Sequence, residues 1–175
     1  VATSVQLDGR QYYEQFDHDK LFDRYLAIGG DKPTAKVLGN YWKAARFVKI
    51  ANHHGTKAIF ATRGMPAGTK FCRSMLIAYA QEAFDKFIDK CPNVDFTSFV
   101  DDEFIGCYAL RWKVADMTEF AVRCFVEVFE NDMQCKIAYD KVTSTSTDPS
   151  IAEELSRRLG ALAGPDGCSG SVIPN

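Results

Sequence analysis

Apolar and polar residues alternate along Val5-Gln6-Leu7 and stop at Asp8, the period-two signature of a short strand. Tyr12, Tyr13 and Phe16 follow, and Asp17 is placed to cap a helix whose apolar face is Leu21, Phe22, Tyr25, Leu26 and Ile28, ended by Gly29-Gly30. Asp31 and Pro33 start a second helix, and Val37, Leu38, Tyr41, Trp42, Ala45, Val48 and Ile50 carry it on at roughly helical spacing. The adjacent His53 and His54 read as exposed residues at a helix end. Gly55 opens a short strand, Ala58–Ala61, and the glycine-rich loop Arg63–Gly68 follows. A long helix is predicted from about Thr69 to Asp89, broken by Cys91-Pro92-Asn93. Two β-like segments then flank Asp101-Asp102 as a hairpin. A helix from Val114 to about Asp132, a strand at Cys135–Tyr139, and an edge strand or extended stretch at Lys141–Thr147 come next. Asp148-Pro149 begins a last helix ending near Leu162. This order predicts an α+β domain over residues 1–163, a small antiparallel sheet with helices packed on one face, and a flexible tail over 164–175.

At 175 residues the chain has the length of one domain. It has no apolar stretch of bilayer length, which argues against a membrane role, and no secretory signal at its start. Six scattered cysteines form no C-x-x-C pair, and the three histidines complete no zinc pattern, so free thiols in a reducing, intracellular compartment are expected. Charge is unevenly spread. No Asp or Glu occurs from Lys32 to Gln81, a window of charge +9, so with a net charge of -2 the remainder carries -11. One basic and one acidic segment suit a protein that handles a polyanion together with cations.

The acidic segment holds the candidate chemistry. Asp101 and Asp102 sit side by side at the tip of the predicted hairpin, and Asp8 ends the first strand. Like charges on a turn repel, and a divalent cation is a natural way to hold them; hard cations prefer carboxylate oxygens.

Read together, the segments resemble the motifs of reverse transcriptases of the group II intron and non-LTR retroelement kind. Asp8-Gly9-Arg10-Gln11-Tyr12-Tyr13 with Asp17-His18 resembles motif A. Gly64-Met65-Pro66-Ala67-Gly68 resembles motif B, Phe99-Val100-Asp101-Asp102 the motif C tetrad, and Lys141 stands where motif D carries a lysine. The resemblance covers about residues 5–147 and implies a polymerase palm. It implies that Asp8, Asp101 and Asp102 ligate two Mg²⁺ ions, with Mn²⁺ as a substitute, for RNA-directed DNA synthesis from an RNA template, a DNA primer and dNTP. By the same resemblance the Gly9 carbonyl completes a metal shell and Tyr13 lies under the incoming sugar and excludes a 2′-hydroxyl. Gly64, Pro66, Ala67 and Gly68 approach the template-primer pair, Arg63 contacts phosphate, and Lys141 neutralises or protonates pyrophosphate.

Departures qualify this. Ala67 replaces the family's usual glutamine, and Cys72-Arg73 the Ser-Pro often found downstream. The basic fingers segments that precede motif A and a thumb after motif D are absent, so the palm is expected to be part of a longer retroelement protein or to work with a partner chain. The alternative expectation is a catalytically inactive, palm-derived module that binds nucleic acid or protein.

Overall fold

The structure, a computed structural model, describes residues 1–65, 70–163 and 169–172. In chain order the elements are β1 (Ala2–Asp8), α1 (Tyr12–Gln15), α2 (His18–Ala27), α3 (Lys32–Trp42), β2 (Lys49–Ile50), β3 (His53–His54), α4 (Cys72–Lys90), β4 (Asp95–Phe99), β5 (Asp102–Tyr108), α5 (Arg111–Glu127), β6 (Thr143–Ser146), α6 (Pro149–Ala163) and β7 (Ser169–Val172). They form two compact units, residues 1–12 with 82–175, and residues 13–81; the boundary in sequence falls within α4.

The first unit is α+β. Its sheet runs β4-β5-β1-β6-β7, with β4, β5, β1 and β6 antiparallel and β7 parallel to β6. Strand β1 is inserted between β5 and β6, which are joined through α5, the split β-α-β pattern. Alternation along β1 buries Thr3, Val5 and Leu7 and leaves Ala2, Ser4, Gln6 and Asp8 half-buried on the other face. The register sets Cys107, Ile105 and Glu103 of β5 opposite the buried three, so one face is dry.

Helix α5 covers that face. Val114, Ala115, Thr118, Ala121, Val122 and Phe125 recur three or four residues apart and are buried. The Thr118 hydroxyl is 2.7 Å from the Thr3 hydroxyl and donates to the Val114 carbonyl, which satisfies a polar pair inside the core. Phe84 and Phe87 of α4, Phe96 of β4, Phe125 and Phe129 form one aromatic cluster with centroids 5.0 to 6.2 Å apart. Past Glu127 the helix widens into a π turn over Val128–Asp132, where the Met133 amide reaches back to the Val128 carbonyl. Helix α6 buries Ile151, Ala152, Leu155 and Leu159 and packs on β6.

The second unit is helical with one small hairpin. Asp17 and Asp31 cap α2 and α3, accepting from the amides of Lys20 at 3.1 Å and Thr34 at 2.7 Å, and Pro33 stands in the first turn of α3. Phe16, Leu21, Trp42, Met75 and Tyr79 are its buried core, with Phe16 edge-on to Tyr79 at 4.7 Å.

Several expected elements differ. Helix α3 ends at Trp42 and not at Ile50, because backbone pairing between Arg46 and Ile59, at 2.8 Å both ways, takes the chain out of the helix. Lys49–Ile50 and His53–His54 pair as a hairpin where a helix end was expected, and Ala58–Ala61 supplies a single bridge in place of a strand. Cys135–Tyr139 likewise makes only an isolated bridge, Ile137 with Gly9, before the 3₁₀ turn Tyr139–Lys141. The main-chain stretch it meets beyond β1 is too brief for a ladder. Strand β6 lies inside the sheet, because residues 169–172, part of the expected tail, form β7 beside it. The remaining tail residues, 164–168 and 173–175, lie outside the described residues. Cys72, Cys91, Cys107, Cys124 and Cys135 are buried free thiols; Cys168 lies outside the described residues. Among the described residues no helix is long and apolar enough to cross a membrane.

Candidate functional site

The acidic tip is assembled by strand register. Asp8, the last residue of β1, is the direct cross-strand partner of Asp102, the first residue of β5. Direct partners share a face, with Cβ atoms about 5 Å apart. Asp101 occupies the turn, and its carbonyl accepts from the Gly9 amide at 3.1 Å, which ties the end of β1 to the hairpin tip. On its other side the end of β1 is held by Ala138 donating to the Asp8 carbonyl and Arg10 donating to the Lys136 carbonyl, both at 2.8 Å. Gly9 is required by close approach: a Cβ there would lie 2.6 Å from the Tyr12 ring, and that ring is buried and stacked on Phe129.

The turn itself is strained. Phe99 pairs with Asp102, so only Val100 and Asp101 link β4 to β5. Val100 has φ +65°, a left-handed conformation that costs a β-branched residue about 1–2 kcal/mol. A two-residue hairpin asks for positive φ at this first position, and glycine is the usual occupant.

Opposed aspartates repel across a ladder. Two side chains offset this. Nζ of Lys141, carried on the 3₁₀ turn, lies 2.7 Å from Oδ2 of Asp8, and Nε2 of Gln6 donates to Oδ1 of Asp102 at 3.2 Å. The hydrogen bond and then the charge of Asp8 raise the Lys141 ammonium above its ordinary value, with Asp140 and Asp101 adding to the effect. With Asp8, Asp101 and Asp102 set against one ammonium, the tip keeps an excess of negative charge that favours a cation.

Glu103 is the residue the sequence reading passed over. It follows Asp102 but points into the dry face and is 1% exposed. Burial pushes its carboxyl up to about 8; Ser98 opposes the shift, and the Asp102 and Asp101 charges add to it. Gln6 was also missed, although strand alternation sets it on the face of Asp8; the signal was its position two residues earlier.

The other expected site residues belong to the second unit. Tyr13, on α1, is half-buried, and its carbonyl accepts from the Met65 amide at 2.7 Å. Gly64 donates to the Phe16 carbonyl at 2.8 Å, while its own carbonyl lies 2.7 Å from Nε2 of the buried His18. Gly64 has φ +92°, and a Cβ would come within 3.2 Å of Glu14, so the loop needs glycine there. Nε of Arg63 is 4.0 Å from Oδ2 of Asp17, and the two residues form a backbone bridge. The start of the loop is therefore pinned to the Tyr13–His18 segment. Pro66, Ala67 and Gly68 lie outside the described residues.

Chemically, the tip offers hard carboxylate oxygens beside one exposed ammonium. Among the described residues no three His, Cys, Asp or Glu side chains are gathered as a metal-holding group; Asp8 is balanced by Lys141 instead. No family model matches the chain, and no curated protein matches it.

Proposed function

We propose that the acidic tip serves template-directed nucleotidyl transfer, as the palm of an RNA-directed DNA polymerase that belongs to a longer protein or works with a partner chain. The observation that carries the reading is the direct pairing of Asp8 with Asp102, with Asp101 in the adjoining turn and Lys141 on Asp8. Four segments distant in sequence resemble four motifs of one enzyme class, and three of them meet at this tip. Helices packed on one face of an antiparallel sheet are what a palm requires, and the α+β architecture is consistent with that.

The donor set suits magnesium: Asp8 and Asp102 offer hard oxygens at strand ends, Asp101 offers them in the adjoining turn, and Gly9 offers a carbonyl. Two Mg²⁺ ions bound there would activate the primer 3′-hydroxyl and stabilise the leaving pyrophosphate. The chain's own contribution is positional. The Gly9–Asp101 hydrogen bond and the two-residue turn hold the backbone of Asp8, Asp101 and Asp102 at adjoining positions. Lys141 supplies a positive charge and a proton at Nζ for the departing phosphate oxygens. By the motif A resemblance, Tyr13 would supply bulk that disfavours a 2′-hydroxyl and selects dNTP.

The test is primer extension on an RNA template with Mg²⁺ or Mn²⁺, by the chain alone and joined to fingers and thumb segments. Extension that Asp101→Asn abolishes supports the reading. No extension from either form rejects it.

One observation favours a second reading. Ala67 stands in place of the template-positioning glutamine, as suits a palm-derived binding module that no longer polymerises. Salt-dependent binding of an RNA–DNA duplex without synthesis would select it.

A further inference from the structure

The excursion between α3 and the Arg63–Met65 stretch is built in a way that the acidic tip does not explain. The chain from Arg46 to Phe60 folds back on itself through the Arg46–Ile59 bridge, the 2.8 Å hydrogen bond from Gly55 to the Val48 carbonyl, and the pairing of β2 with β3. Two residues per strand make a weak hairpin, and such a hairpin ordinarily needs an apolar face laid on a core. Here the apolar side chains face outward. Phe47 is 55% exposed, Ile50 72% and Phe60 66%, and Val48 and Ile59 are also exposed. The two phenylalanines flank the bridge, one residue beyond each of its members. Exposed apolar side chains concentrated in so short a segment mark a binding surface.

Charge says what would cover it. The excursion carries Arg46, Lys49 and Lys57 and no acidic residue, inside the longer stretch from Lys32 to Gln81 that also has none. A protein partner of ordinary composition would gain nothing from that one-sided charge. A partner with negative charge along its length and flat apolar faces satisfies both features at once. Exposed aromatic rings interleaved with cationic side chains are how single strands of nucleic acid are held, by stacking of bases and pairing of phosphates. We infer that the Arg46–Phe60 excursion is a binding platform for single-stranded nucleic acid, with Phe47 and Phe60 as stacking surfaces and Arg46, Lys49 and Lys57 as phosphate contacts. This goes beyond the nucleotidyl-transfer reading and holds whether or not the acidic tip is catalytic.

Fluorescence anisotropy of labelled oligothymidylate and oligouridylate of about 20 nucleotides, with the full chain in chelator and without nucleotides, tests it. Chelator removes any cation-mediated part the acidic tip would take. Replacing Phe47 and Phe60 together by alanine should weaken single-strand binding about tenfold or more. Lys49→Glu with Lys57→Glu should weaken it further and lower the salt slope by roughly one for each phosphate no longer neutralised. These residues are exposed, so thermal melting should be unchanged. Equal affinity for both oligomers assigns the contacts to bases and phosphates alone; preference for oligouridylate adds a 2′-hydroxyl contact and keeps the platform. The proposal is overturned if the unaltered chain prefers duplex to single strand, if the phenylalanine pair can be replaced without weaker binding, or if replacing it changes only self-association in light scattering.

Discussion

Glu103 makes the stability of the first unit depend on pH in a direction opposite to that of an ordinary surface carboxylate. Its carboxyl is buried on the dry face beneath the acidic tip, and burial raises it from 4.5 to about 8. Between those values the folded protein keeps a proton that the unfolded chain gives up. Stability is therefore greatest below the ordinary glutamate range, falls as pH rises through the interval, and levels off once the folded carboxyl has ionised above about 8. At roughly 1.4 kcal/mol per pH unit, the loss between about pH 5 and about pH 9 is at most roughly 4 kcal/mol, and nearer 2 kcal/mol if water reaches the ionised group. Glu103→Gln keeps the shape and removes the titration. The measurement is denaturant unfolding of both proteins across this range, with chelator present so that no cation alters Asp101 and Asp102. Every other titrating group is common to the two proteins and cancels in the difference. The variant should match the unaltered chain near pH 5 within about 1 kcal/mol and exceed it near pH 9 by roughly 2–4 kcal/mol. Parallel profiles would refute the argument, because they would mean that the Glu103 carboxyl ionises as readily folded as unfolded.

Val100→Asn should stabilise the chain by about 1 kcal/mol, raising Tm by about 3 °C in calorimetry, because asparagine tolerates the left-handed conformation that valine resists. A lower Tm would mean that valine's packing outweighs its backbone strain. Tyr13→Ala, in a form that extends primers, should let ribonucleotides compete with deoxyribonucleotides; unchanged sugar selectivity would remove Tyr13 from the sugar site.

The residues show where reading along the chain was enough. A period of two sends alternate side chains to opposite faces whatever the partner strand, so Asp8 falls opposite in facing to Val5 and Leu7 by local geometry alone. Caps at Asp17 and Asp31 are likewise local, since an aspartate and the amide three residues on need nothing from the rest of the fold. The end of α3 was not local. Val48 and Ile50 keep helical spacing, and only the pairing of Arg46 with Ile59, a contact closed over a loop, tells the chain to leave the helix. Glu103 was hidden for a related reason: it follows two aspartates at the acidic tip, and only the sheet and its covering helices take it out of water.

Local periodicity thus determined that this chain forms a first strand ending in Asp8, a hairpin with an acidic tip and amphipathic helices, because those depend on φ, ψ and spacing; only strand pairing set the turn at Val100-Asp101 and put Asp102 in β5. Tertiary structure alone decided that Asp8 lies across from Asp102, that Lys141 reaches Asp8, and that Glu103 is dry. Register between strands and the exclusion of water are properties of the assembled sheet and helices, and no stretch of sequence contains them.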